Sequence, residues 1–214
     1  MQLKVGTKVF TADGKKVGSI DRIVIEPDTS EVTHLVIQEG FLFKESKVIP
    51  MSLVGPATED QVILRKNEDE LEEFPNFQES HFVSAERGLP SVPATDNHVR
   101  TLYWYPPLGI STGLAGPPAP RYVVKTENIP EGTVALAEGA NVICSDGEHV
   151  GDVERIYTDS QEDQITHLLI AEGLFLKEKK LIPVRWIAKA FEHEIRLSVD
   201  SNLVENLPEY QLQE

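Results

Sequence analysis

Cysteine is almost absent from this 214-residue chain: Cys144 stands alone, which excludes an intramolecular disulfide framework and any zinc site built from several thiolates. Such sparing use fits a reducing cytoplasm. Long apolar runs are missing too. The longest, such as Leu35-Val36-Ile37 and Leu168-Leu169-Ile170-Ala171, fall far short of the roughly 20 residues a membrane helix needs. The first residues enter strand-like alternation without the apolar stretch of a signal peptide, so a cytoplasmic protein with no membrane insertion is expected. Basic side chains are scarce, 20 Lys and Arg against 35 Asp and Glu, and the net charge of -15 disfavours nucleic acid and anionic lipid as partners. Aromatic residues make up only 7%, yet hydrophobic residues reach 40%, enough to bury a core.

What the chain holds instead is one unit written twice. Gly6 to Phe77 aligns with Gly139 to Tyr210 at a constant offset of 133 without a gap, and about a third of the aligned positions are identical. The matches fall where backbone geometry is demanding: Asp13-Gly14 with Asp146-Gly147, Gly18 with Gly151, Gly40 with Gly173, Ile49-Pro50 with Ile182-Pro183. An Asp-Gly pair between alternating segments signals a tight hairpin, because glycine accepts the positive φ of a primed turn. Segments rich in Val, Ile, Thr and Phe predict strands at Lys8 to Thr11, Val17 to Glu26, Glu31 to Gln38, Phe41 to Phe43, Lys47 to Ile49 and Val62 to Arg65. The longest changes its apolar parity between Ile20 and the pair Ile23 and Ile25, and Val153 and Ile156 repeat the change, which predicts a bulge. Short helical turns stopped by proline are expected near Glu68 to Pro75 and Asn202 to Pro208.

Between the repeats, His81 to Val124 carries half of the fourteen prolines and no sustained periodicity. The reading is therefore all-β: two small β-barrels in tandem, residues 1–80 and 125–214, joined by a long Pro-rich and aromatic-rich linker at residues 81–124.

The run Val9 to Gly18, then Thr33-His34-Leu35-Val36-Ile37, then Lys44 to Pro50, resembles the PRC-barrel domain, the module shared by the photosynthetic reaction centre H subunit and the ribosome maturation factor RimM. The second unit carries the same marks through Asp146-Gly147, Val150-Gly151, Thr166 to Ile170 and Lys177 to Pro183. The resemblance implies a binding or assembly module with no shared catalytic residues. The chain has neither the membrane helix of the one relative nor the separate N-terminal barrel of the other, so neither role transfers directly.

Candidate sites follow from unusual residues. His34 and His167 occupy the same place in each unit and offer a pH-responsive or ion-binding pair, although a histidine on a strand packed on both faces more often satisfies a structural partner. The acidic turns Glu26 to Glu31 and Asp159 to Asp163 lack calcium-loop spacing and read as solvated. No metal or cofactor site is therefore predicted. No nucleophile sits in a catalytic string, so the chain is read as not an enzyme. Cys144, in the place of Thr11, reads as a small buried side chain, and the pairs Lys15-Lys16 and Lys179-Lys180 as solubilising hairpin tips. The linker string Tyr103-Trp104-Tyr105-Pro106-Pro107-Leu108 is the candidate protein contact. It either packs on its own barrels or a second copy, the favoured alternative, or serves as an extended ligand for an aromatic-lined groove. The function expected is a non-catalytic protein-binding or self-assembling scaffold, a homo-oligomer with a dimer the simplest form. The competing expectation is an ion or pH sensor using the paired histidines and acidic turns.

Overall fold

Alternating side chains and glycine-turned hairpins put strands along most of the chain. The structure, a computed structural model, describes residues 1–39, 46–58, 60–84, 99–104, 121–159, 163–172 and 178–211. It divides into two compact units, Met1–Pro75 with Ile129–Glu214, and Asn76–Asn128.

In the larger unit the first repeat gives β1 (Gln2–Leu3), β2 (Lys8–Phe10), β3 (Lys16–Glu26), β4 (Glu31–Glu39), β5 (Ser46–Pro50), β6 (Val54–Ala57), β7 (Gln61–Leu64) and α1 (Glu68–Leu71). The smaller unit holds β8 (Gln78–Ser84), β9 (Val99–Trp104) and β10 (Arg121–Glu127). The second repeat gives β11 (Val134–Ala137), β12 (Asn141–Ile143), β13 (His149–Thr158), β14 (Ile165–Glu172), β15 (Glu178–Pro183), β16 (Ile187–Phe191), β17 (Glu194–Leu197) and α2 (Ser201–Glu205).

The sequence repeat is a fold repeat. One sheet runs β5-β4-β3-β2-β7-β6, the other β15-β14-β13-β12-β17-β16, and β2 with β7 and β12 with β17 are parallel pairs. Gly14 and Gly147 take the positive φ (82° and 88°) that the β2–β3 and β12–β13 turns require. The parity change is a bulge: register shifts between Ile20 and Arg22 in β3 and between Val153 and Arg155 in β13. Beyond that bend Ile23, Val24 and Ile25 are all buried, so the far end of β3 is covered on both faces. The all-β expectation holds; within the described ladders neither sheet closes on itself as a barrel.

Each sheet instead borrows a strand from the other repeat. β1, from the first repeat, pairs antiparallel with β13, placing Leu3 opposite Ile156. β11, from the second, pairs antiparallel with β3, placing Leu136 opposite Ile23. These pairs are equivalent at the offset of 133, so the exchange is reciprocal. All four side chains are at most 2% exposed and belong to one contiguous apolar core shared by both repeats. At the centre of this two-fold arrangement Glu31 forms a bridge with its own counterpart Gln164. Around it the Val32 N–H donates to the Asp163 carbonyl at 3.1 Å, and the Ile165 N–H donates to the Ser30 carbonyl at 2.8 Å. Ser30 and Asp163 both adopt positive φ (59° and 54°), so the two turns meet in matching conformations. The Arg22 guanidinium also reaches Glu192 across the repeats at 2.8 Å.

The smaller unit is an antiparallel sheet of order β8-β10-β9, and the Asn128 N–H donates to the Phe77 carbonyl at 2.8 Å where its two ends meet. Residues 81–124 were expected to lack regular structure, and β9 with most of β8 and β10 corrects that. Each of these strands is six or seven residues long, and β10 finds its partner β8 from Gln78–Glu127 inward. Pairing across so wide a gap leaves no local hairpin signal for periodicity to detect.

Candidate functional site

The two sequence-matched histidines occupy matching register positions and different surroundings. His34 on β4 lies opposite Val24 on one side and Pro50 on the other, and its Nδ1 is buried without a hydrogen-bond partner. Burial pushes its imidazole below the ordinary value, because the charged form loses hydration and gains no compensating partner. His167 on β14 lies opposite Tyr157 and Pro183, half-buried, on the wall of an open cleft of about 570 Å³.

That cleft is the most distinctive site of the larger unit. Tyr157 on β13 and Tyr210, beyond α2, form an edge-to-face pair with centroids 6.1 Å apart and planes at 68°. The Tyr157 hydroxyl donates to the Tyr210 hydroxyl at 3.4 Å. Tyr210 is held in place by its N–H, which donates to the Lys179 carbonyl at 2.7 Å. Thr166 donates to the Tyr157 carbonyl, while Thr158 is 5% exposed and its Oγ1 has no partner. Leu181, Ala57 and the Met1 side chain supply apolar wall, and the Met1 N-terminal ammonium, which donates to the Thr158 carbonyl at 2.7 Å, brings a positive charge to the cleft.

Sequence reasoning singled out His167 and missed Tyr157, Thr158 and Tyr210. The signal was present in the alignment of the repeats: at the offset of 133 these hydroxyl-bearing residues stand where the first repeat has Val24, Ile25 and Phe77. Three positions that are apolar in the first repeat carry hydroxyls in the second.

The remaining candidates are placed as follows. Tyr103 and Trp104 end β9, whereas Tyr105, Pro106, Pro107 and Leu108 lie outside the described residues. In the first acidic turn Thr29 donates to Glu26 at 2.7 Å; residues 160–162 of the second lie outside the described residues. Among the described residues no three His, Cys, Asp or Glu side chains gather as a metal-binding group. Cys144 is buried, and its thiol is pushed up to about 11, first by burial and then by the carboxylates of Asp146, Asp200 and Glu205.

The Lys179-Lys180 pair is not a hairpin tip. Lys179 pairs with Glu154 at 2.8 Å, and Lys180, only 5% exposed, donates to the Glu205 carbonyl at 2.8 Å at the end of α2. Its counterpart Lys47 donates to the Phe74 carbonyl at 3.0 Å after α1. Both lysines satisfy carbonyls left open where a helix ends. A second cleft of about 290 Å³, where Leu3 and Leu136 approach each other, has an ionic wall in which Glu154 accepts from Lys179.

Comparison with known proteins divides the repeats. Residues 5–71 match the PRC-barrel domain, and residues 136–205 match a family described as an uncharacterized protein conserved in bacteria (DUF2171). No curated protein matches the chain. Among the described residues no helix is long and apolar enough to cross a membrane.

Proposed function

We propose that the chain is a non-catalytic cytoplasmic scaffold of two PRC-type barrel modules, residues 136–205 being the second, each completed by a strand from the other. It binds a protein partner or further copies of itself, a dimer being the simplest assembly. The observation that carries this reading is the reciprocal exchange of β1 and β11, in which each module takes a strand onto its long β3 or β13 from a module of its own kind. The strand order common to both sheets and the ungapped offset support the second module. The net charge of -15 favours protein over nucleic acid as partner.

The test is affinity capture of the full chain from its native cell at low salt, beside a chain whose residues 105–120 are replaced by a Gly-Ser segment of equal length, with mass measurement in solution. A defined partner, or discrete self-association, is the expected result. A monomer that captures nothing and turns over a substrate overturns the reading. Retained capture by the replaced chain removes Tyr105 to Leu108 from the contact.

A second reading, a pH response, is favoured by one observation: the buried, unpartnered Nδ1 of His34. Following the imidazole resonances of His34 and His167 through pH 5 to 8, alongside assembly state, tests it. Titration without any change in assembly or conformation removes it.

A further inference from the structure

At the cleft where Leu3 and Leu136 approach each other, the two repeats diverge in charge. The register across β13, β14 and β15 sets Asp152 beside Ala171 and Ala171 beside Lys179. In the first repeat the same row is Ser19, Gln38 and Ser46, two short hydroxyls flanking a long amide. The second repeat inverts that pattern: opposite charges stand two strand spacings apart, about 10 Å along the backbone, with an alanine between them. Next to this row the bulge leaves Glu154 without a partner on β14, and its Oε1 gathers Lys179 at 2.8 Å, Arg155 at 3.9 Å and Lys4 at 4.0 Å. One carboxylate neutralises one unit of charge, so these cations keep capacity for a second anion. Lys4, brought to β13 by the strand exchange, stands where the other side of the two-fold has Ala137. Asp152 gives one oxygen to His149 at 3.1 Å and keeps the other as an acceptor.

We propose that this cleft binds a free α-amino acid with an apolar side chain, its carboxylate held by Lys4 and Lys179 and its ammonium by Asp152. The proposal goes beyond the scaffold reading, which stands or falls separately. Charge selects the ligand first. Lys4, Arg155 and Lys179 line the cleft against Glu138, Asp152 and Glu154, so both signs are present in equal number. A phosphate or dicarboxylate would face the three carboxylates, and a polyamine the three cations; a ligand with one charge of each sign meets a counter-ion at both ends. Size selects next: a volume of about 290 Å³ admits a small molecule and not a folded partner. Beside the charged groups, Val5, Ala137 and Val153 are each only partly buried and offer apolar surface to a side chain. Nothing in a duplicated scaffold requires this arrangement, since the first repeat folds on the same topology with Ser19, Gln38 and Ser46 in its place.

The full chain is titrated with L-leucine by calorimetry and by the backbone amide resonances of Asp152, Ala171 and Lys179. Leucinamide, 4-methylpentanoate and glycine serve as comparators, lacking in turn the carboxylate, the ammonium and the side chain. The expected result is saturable binding of leucine, with each comparator weaker by about tenfold or more, the effect of one lost charge-assisted bond or of an apolar side chain. Ala171→Gln and Lys179→Ser each install the residue that the first repeat carries at that position, so the scaffold is suited to both. Each should weaken leucine binding by about tenfold or more, and thermal unfolding confirms that the variants are folded. Asp152→Ser, the remaining reversion, replaces either variant if it does not fold. No saturation with leucine, a smaller loss with any comparator, or wild-type affinity in a folded variant overturns the proposal.

Discussion

At the scale of single residues, the two repeats show what a fixed backbone permits. His34 and His167 were legible as a pair because the sequence repeats them, but their environments were not, since those depend on neighbours from β3, β5 and the chain beyond α2 that only folding assembles. For His34 the consequence is a pH dependence of stability. Its imidazole is held below the unfolded value near 6.5, so the unfolded chain binds the proton more readily. Stability is therefore full above that value and falls as the pH drops below it, by at most about 1.4 kcal/mol per pH unit for one proton. His34→Gln should flatten this acid-side slope in denaturant titrations between pH 5 and 7.5; an unchanged slope would place the proton uptake elsewhere. Cys144 gives a second expectation. With its thiol near 11, only about one molecule in ten thousand carries the thiolate at pH 7, so iodoacetamide should label the native chain far more slowly than the urea-unfolded one. Thr158→Val should raise stability by about 1 kcal/mol, the reverse of the usual effect of a mutation in a core, because it removes a hydroxyl that nothing satisfies.

At the scale of elements, the sequence exposed what alternates and concealed what is too short or interrupted to alternate. β2, β3, β4, β5 and β7 lie within a residue or two of their expected bounds, because each holds β-branched or aromatic residues between turn formers. β6 was missed since it reads Val54-Gly55-Pro56-Ala57; a Cβ on Gly55 would meet the Ile63 carbonyl oxygen at 2.8 Å, so the close approach of β7 requires the glycine that erases the strand signal. β1 was missed because two residues carry no period. Yet Leu3 is 0% exposed, seated against the second repeat. Leu3→Ala should cost about 2–5 kcal/mol, as for a residue of a long core strand. The location of the damage identifies the exchange: hydrogen exchange should speed up first at Ile156 and Tyr157 of β13, the partners of β1, rather than in β3 of its own repeat. Loss confined to the first repeat would contradict the pairing.

At the scale of the molecule, duplication was plain from the offset, whereas the interlocking of the copies was not. Offset reports similarity, and two similar modules on a string have the same self-alignment as two that trade strands. What separates the cases is the burial of Leu3, Ile23, Leu136 and Ile156 in one core, together with the crossed bonds of Val32 with Asp163 and Ile165 with Ser30. A shared core couples the stabilities of its parts, because neither half can open without exposing apolar surface of the other. Residues 1–75 and 129–214 should therefore unfold in one step, with calorimetric and van't Hoff enthalpies in agreement for that transition. Leu136→Ala supplies the sharper test, since Leu136 belongs to the second repeat by sequence and packs into the sheet of the first. It should lower the midpoint reported by the His34 resonances in the first repeat and the midpoint reported at Ile195, in the core of the second, by the same amount. Independent modules would shift only the first, since the side chain removed lies in that sheet, and the exchange would then stabilise one sheet without coupling it to the other.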